Sequence, residues 1–432
     1  MFVSDCLSVN EAGHLTIGSA DTVELARTYG TPLYVFDEGT IRETLRQYKG
    51  SIDRYYGGKG LVAYASKAFA CKEIYRIVES EGCGIDVVSR GELYTALSVG
   101  FPVEKIFYHG NNKTVEELTY AIEHNVGRIV VDNLTELERI SAIAISQNKV
   151  VPILLRIKPG IDAHTHNFVR TGQIDSKFGF ALETGEALDA VRYVLTHPGV
   201  ALKGIHCHIG SQIFEIDPFE CAAEVMIGFM AAVRDETGLV LTELNLGGGF
   251  GIKYVPENDP VPYQDYMEKV SGMVHTTCRK YGLETPFIAI EPGRSVVGSA
   301  GITLYTVGGV KVIPNIRTYV SVDGGMTDNP RYILYQSQYE AVLANRAADP
   351  KDSVITLAGR CCESGDLVGE GMPIQSPKVD DIIAVLATGA YNYSMASNYN
   401  RVPRPAAIMV RDGQAREIIR RESMEDLVRN DL

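Results

Sequence analysis

Eight short apolar runs, spaced by stretches with helical periodicity, constrain this chain more than any other feature. The runs cover residues 61–65, 85–88, 105–108, 128–131, 151–157, 202–206, 241–246 and 287–290. Among them lie segments with the apolar spacing of amphipathic helices: residues 72–80, 115–125, 134–147, 185–196, 219–237 and 263–281. Apolar runs this short, bounded by polar residues, read as buried strands. Strands that alternate with helices form parallel βα units. Eight such units over roughly 230 residues fit a (β/α)8 barrel, whose usual size is about 250 residues. A doubly wound open sheet is the rival fold.

Beyond Glu291 the texture changes. Residues 301–313, 319–322, 353–357, 381–387 and 405–410 read as strands separated by turn residues, with few helical periods left. The expected organisation is therefore an α/β chain. A TIM-like barrel spans residues 34–290, and a mostly β domain comprises residues 1–33 and 291–432. The strand-like piece His14-Leu-Thr-Ile17 is a candidate to join the second sheet. A length of 432 residues agrees, since it exceeds what one compact core holds.

The net charge of -13, with no long basic run, argues against nucleic acid or an anionic membrane as partner. It leaves room for an acidic small molecule in a local basic pocket. No stretch approaches the ~20 apolar residues of a membrane span. The N-terminal residues lack the basic and apolar regions of a signal peptide. Eight cysteines without a repeated paired spacing suggest reduced thiols and a cytoplasmic location.

In a (β/α)8 barrel, active sites form at the C-terminal strand ends. The unusual residues of this chain fall there. The first strand runs out at Ser66-Lys67. A lysine at the end of a buried strand is costly unless it is paired or loses its charge. A desolvated lysine is a nucleophile able to form Schiff bases, whereas the plainer reading is a lysine extending to solvent at the barrel rim. Later strands lead to Asp86 with Ser89-Arg-Gly-Glu92, to His109-Gly-Asn-Asn-Lys113, and to Arg156-Ile-Lys-Pro-Gly160. Then come His206-Cys-His208-Ile-Gly-Ser211-Gln, Gly247-Gly-Gly249-Phe-Gly251 and Glu291-Pro-Gly-Arg294. The glycine run exposes amides that can cradle an anion, although a glycine run alone is more often just a turn. His206 and His208 share a strand face and form a candidate metal pair, and Asp162-Ala-His164-Thr-His166 is another. Neither has an obvious remaining ligand set, so no metal is expected. A buried carboxylate at Glu291 needs a cationic partner, either an arginine or a protonated ring nitrogen.

These motifs together resemble the fold-type III pyridoxal-phosphate decarboxylases, the alanine-racemase/ornithine-decarboxylase-like architecture, and most nearly their diaminopimelate-decarboxylase branch. Further matching segments are Thr31-Pro-Leu-Tyr-Val-Phe-Asp37, Ser176-Lys-Phe-Gly179, Val322-Asp-Gly-Gly-Met326, Cys362-Glu-Ser-Gly-Asp366 and Gly389-Ala-Tyr391. The resemblance implies pyridoxal 5'-phosphate as cofactor and Lys67 as its Schiff-base lysine. It implies that His208 stacks on the ring. Ser211, Gly248, Gly249 and the segment Glu291, Pro292, Gly293, Arg294 hold the phosphate and ring, Glu291 pairs with the ring nitrogen, and Tyr391 contacts the cofactor and substrate. It further implies that Arg294, Arg331 and Tyr335 bind a substrate carboxylate and that Glu363 meets a distal ammonium. The same resemblance implies that Cys362 is the proton donor. Cys362 and Glu363 are implied to reach the site from the other subunit of a homodimer with shared active sites. Glu291 favours decarboxylation, because a carboxylate keeps the ring nitrogen protonated, whereas the related racemases carry an arginine there. The expected reaction is meso-2,6-diaminopimelate to L-lysine and CO2, the last step of lysine biosynthesis. Alternatives are another amino acid with a distal or carrier-tethered carboxylate, a racemase, or an inactive homologue. One departure stands out: Arg331-Tyr-Ile-Leu-Tyr335 replaces the family's Arg-Pro-Ala-Leu-Tyr, which puts bulk beside the arginine expected to choose the substrate.

Overall fold

The computed structural model describes residues 2–161 and 176–432. The chain divides into two compact units. The first contains Thr44–Gly251 and Pro260–Gly293; the second contains the residues up to Glu43, Ile252–Asp259 and Arg294–Leu432.

The first unit is a closed parallel barrel. Its strands are Gly60–Ala65, Gly84–Val87, Ile106–Tyr108, Arg128–Val131, Val151–Lys158, Val200–His206, Glu243–Asn245 and Phe287–Ile290, each hydrogen-bonded to the next and the last to the first. All eight expected runs are strands here, and the open-sheet rival is excluded by the pairing of Phe287–Ile290 with Gly60–Ala65. Leu61, Ala63, Phe107, Val130, Leu154 and Ala289 pack together, so the barrel interior is filled by side chains. The helices between strands follow from apolar stripes and local caps. Lys72–Ser80 buries Ile74, Tyr75, Ile77 and Val78 on one face. Thr114 and Glu117 close a capping box on Val115–Glu123. Tyr263–Tyr281 stops at Gly282, whose φ of 63° is a left-handed cap that glycine adopts without strain. Arg90–Leu97, between the second and third barrel strands, is a further helix that the periodicity did not single out.

The second unit is mostly β. Its long strand Gly301–Ile313 pairs antiparallel with Leu33–Asp37, Ile382–Val385 and Arg317–Val322 along different parts of its length. Leu33–Asp37 also pairs in parallel with Ala406–Arg411. That strand is buried along its whole length inside this sheet, so the barrel unit begins at Thr44 rather than at residue 34. Sequence order misleads at this point, because the strand precedes the barrel yet completes the other sheet. The Leu15–Ile17 strand does not join it. It forms a separate three-stranded sheet with Leu7–Val9 and Ala20–Asp21. Three strands absent from the sequence reading, Ala341–Leu343, Leu367–Ile374 and Gln414–Ile419, complete the unit. All eight cysteines are free thiols. No helix among the described residues is long and apolar enough to cross a membrane.

Candidate active site

At the C-terminal end of the barrel, three strands deliver polar side chains to a carboxylate that follows a fourth. Glu291 follows Phe287–Ile290 and is only 7% exposed. Its Oε1 accepts from His109 Nε2 at 2.7 Å and from Asn245 Nδ2 at 2.6 Å, and its Oε2 accepts from His206 Nε2 at 3.1 Å. Burial alone would raise this carboxyl. The two imidazoles and their hydrogen bonds hold it instead well below the usual carboxylate range. Burial pushes both histidines toward the neutral form, His206 down to about 4. Both rings face the carboxylate through Nε2.

Beside it, Gly247–Gly249 form a loop that only glycine can occupy. A Cβ on Gly248 would lie 2.1 Å from the Glu291 carbonyl oxygen. One on Gly249, at φ +118°, would lie 2.5 Å from the Gly210 carbonyl oxygen. The Gly248 amide donates to His208 Nδ1 at 3.3 Å, which fixes that ring. The amides of Gly249 and Gly293 donate to no described residue, which suits them to an anion. Burial, and then the Lys67 and Arg156 cations, hold His208 neutral.

Lys67 sits in the single turn Ser66–Ala68 after the first strand and is exposed. The expectation of a desolvated lysine is not met: the strand ends at Ala65, and the turn directs the side chain to solvent. Its charge nonetheless acts on Asp86, Glu92 and His208. Burial and then repulsion from Glu291 raise Asp86 well above the usual range, and its Oδ1 has no hydrogen-bond partner. Ser211 is half-buried.

His109 is held by the loop that follows it. Lys113 Nζ, almost wholly buried, donates to the Gly110 and Val130 carbonyls at 2.8 Å each and to Glu136 Oε1 at 2.6 Å. A buried lysine so fully paired fixes the backbone it crosses.

His109, His206 and Glu291 also place three potential metal ligands within 4.8 Å of one another. Tetrahedral ligands at about 2.0–2.1 Å from zinc would lie roughly 3.3 Å apart. The 2.7 Å contact between His109 and Glu291 is instead a hydrogen bond. His206 and His208 do not act as a pair, since one bonds Glu291 and the other the Gly248 amide. The Asp162, His164 and His166 group lies outside the described residues.

The β unit assembles a second constellation. Arg331, 5% exposed, donates from Nη1 to the hydroxyls of Tyr254 and Tyr339 at 3.0 and 3.1 Å. Arg294 donates to the same Tyr254 hydroxyl at 2.6 Å. Both guanidinium groups lie over Tyr391, 4.9 and 5.5 Å from its ring centre, and Arg331 lies 5.8 Å from Tyr335. Arg331 has no carboxylate partner among the described residues, and its buried Nε has no hydrogen bond. A buried guanidinium lacking a counter-charge is a site for an anion. Tyr332 turns away: its hydroxyl donates to Glu370 at 2.7 Å, on the strand Leu367–Ile374. Its bulk is therefore tied down rather than set over Arg331. Cys362 and Glu363 lie on an exposed loop. Asp366 shapes that loop by accepting the Met326 and Cys361 amides at 2.6 and 2.7 Å. No contact among the described residues joins Cys362 or Glu363 to the arginine group.

The profile of the family described as "Pyridoxal-dependent decarboxylase, pyridoxal binding domain" matches residues 38–298. The diaminopimelate decarboxylase of Bacillus methanolicus is 50% identical over 424 residues, covering 98% of each chain. This chain belongs to the diaminopimelate decarboxylases. The Bacillus subtilis (strain 168) enzyme of that name is 48% identical over 432 residues, covering all of this chain and 98% of its own. Among solved structures, diaminopimelate decarboxylase from M. jannaschii in complex with L-lysine superposes with a TM-score of 0.92 at 34% identity, covering 100% of this chain and 99% of its own. The Helicobacter pylori enzyme with L-lysine gives 0.86 at 30%, covering 94% and 98%. The barrel fits the family's cofactor: a glycine cradle with two unengaged amides, and a buried carboxyl group held by three donors that suits a ring nitrogen. Sequence reasoning gave no role to Asn245, Tyr254 or Tyr339. For Asn245 a signal existed, since an asparagine inside an apolar run ending in three glycines must be buried and bonded.

Proposed function

We propose that this diaminopimelate decarboxylase uses pyridoxal 5'-phosphate to convert meso-2,6-diaminopimelate to L-lysine and CO2. The observation that carries the reading is the buried, hydrogen-bonded Glu291 beside a glycine cradle, in a chain about half identical to enzymes of that name along its whole length. Bound pyridoxal phosphate supplies an electron sink for the carbon that loses CO2. The protein's part is to bind, orient and move protons. Lys67 Nζ is the group that would hold the cofactor. Gly248, Gly249, Ser211 and the Pro292-Gly293-Arg294 segment would take its phosphate, His208 would pack on its ring, and Tyr391 would border cofactor and substrate. Glu291 would keep the ring nitrogen protonated, which favours loss of CO2 over racemisation. Arg294, Arg331 and Tyr335 bind a substrate carboxylate as a planar fork binds its match, and Glu363 receives the distal ammonium. Cys362 Sγ delivers the proton that replaces CO2. Assayed over meso-diaminopimelate, ornithine, lysine and carrier-tethered analogues, CO2 release is expected from the first; no release from it refutes this reading.

The exposed setting of Cys362 and Glu363 supports their service to a neighbouring copy, in a cytoplasmic homodimer with shared sites. Mixing inactive Lys67→Ala and Cys362→Ala chains is then expected to restore up to about half of wild-type activity per heterodimer, since one of its two sites is intact. No recovery would place each site within one chain.

A further inference from the structure

Glu291 is held by donors that follow or end three different barrel strands, at His109, His206 and Asn245. An ionised carboxylate offers about four lone-pair sites, two on each oxygen. Oε1 uses both of its sites, for His109 at 2.7 Å and Asn245 at 2.6 Å. Oε2 uses one, for His206 at 3.1 Å. None of the three donors is free to turn. Asn245 Oδ1 accepts the Gly247 amide at 2.9 Å, so its amide cannot flip. The two imidazoles pack edge to face, with ring centres 4.7 Å apart and planes at 66°. His206 Nδ1 is buried without a hydrogen-bond partner. A proton there would be a buried, unanswered donor, so the Nε2–H tautomer facing Glu291 is the stable one.

We propose that His109, Asn245 and His206 are positioning residues for the cofactor's ring, which hold Glu291 as an oriented anion and leave one acceptor site, on Oε2, for the ring nitrogen. The proposal rests on the pairing of Glu291 with that nitrogen, but not on the identity of the amino acid consumed. A ring of donors serving only the barrel core would tolerate any replacement that fills the space. Donors that aim a carboxylate must keep their N–H.

The test uses the full-length protein stripped of cofactor and reloaded with pyridoxal phosphate labelled with 15N in the ring. The readouts are the cofactor Kd and the 15N resonance, which tells a protonated ring from a neutral one. Wild type is expected to show a protonated ring. His206→Leu and Asn245→Leu are expected to weaken cofactor binding about tenfold, the scale of one hydrogen bond to a charged group, and to shift the resonance toward the neutral ring. His206→Gln, which keeps a donor near the Nε2 position, is expected to restore both. Leucine variants with wild-type affinity and a protonated ring overturn the proposal. If they do not fold, His206→Gln and His206→Asn decide it: both are polar, only the glutamine reaches Oε2, and equal affinities overturn the proposal. A neutral ring in wild type overturns it together with the pairing of Glu291. Failure to turn over diaminopimelate alongside the expected Kd and 15N results counts against the substrate alone and leaves the proposal supported.

Discussion

Lys67→Ala is expected to abolish turnover, by about 10⁴-fold or more as for other groups that bond covalently during catalysis. It is expected to leave folding stability within about 0.5 kcal/mol, as for surface substitutions generally. The separation follows from the side chain's setting. Lys67 is exposed in a one-turn segment and donates no hydrogen bond to any described residue. Nothing in the barrel rests on it, while Asp86, Glu92 and His208 all feel its charge. Under the proposed reaction its role is chemical. A thermal melt, a steady-state assay and the visible absorbance of the reloaded protein check this together. Near-normal turnover would remove Lys67 from the reaction, and a collapsed melt would mean that the residue is structural.

Arg331→Ala is expected to raise KM for meso-diaminopimelate by about 10²-fold or more, the loss that follows when a buried, hydrogen-bonded charge pair loses one partner. Arg331 is buried, meets no carboxylate among the described residues, and is held by the Tyr254 and Tyr339 hydroxyls at 3.0 and 3.1 Å. Two phenols steady a guanidinium but do not neutralise it, which leaves its charge for a ligand. Removing Arg331 takes away an uncompensated buried charge, so the folded state should lose little. Arg331→Lys keeps the charge but not the fork, and is expected to fall between wild type and alanine. An alanine variant with unchanged KM would mean that the substrate carboxylate is bound elsewhere.

Much of this molecule was legible in its sequence, for a physical reason. A barrel strand buried on both faces has to be apolar throughout, and a strand end facing the catalytic rim has to be polar. Both signals are local, so the eight strands and the polar residues after them could be read directly. What was not legible depends on contacts distant in sequence. Leu33–Asp37 looks like a barrel strand and lies in the other sheet, because its partners are Gly301–Ile313 and Ala406–Arg411. Lys67 was expected to be desolvated, yet one turn of backbone is enough to put it in solvent. The donors around Glu291 come from 182, 85 and 46 residues away, so no spacing rule joins them. Tyr254 belongs to the same class: nothing local marks a tyrosine that steadies an arginine 77 residues on. The helix Glu38–Tyr56 is a different case. Its stripe of Ile41, Leu45, Tyr48, Ile52 and Tyr56 is local and periodic, and could have been found.

This chain is expected to remove one carboxyl group from meso-diaminopimelate and put a proton in its place. The most direct measurement supplies the reloaded protein with carboxyl-13C-labelled meso-diaminopimelate and follows CO2 and amino acid together. One CO2 and one L-lysine per molecule consumed is the expected result. Consumption without CO2, or CO2 without L-lysine, would contradict the account.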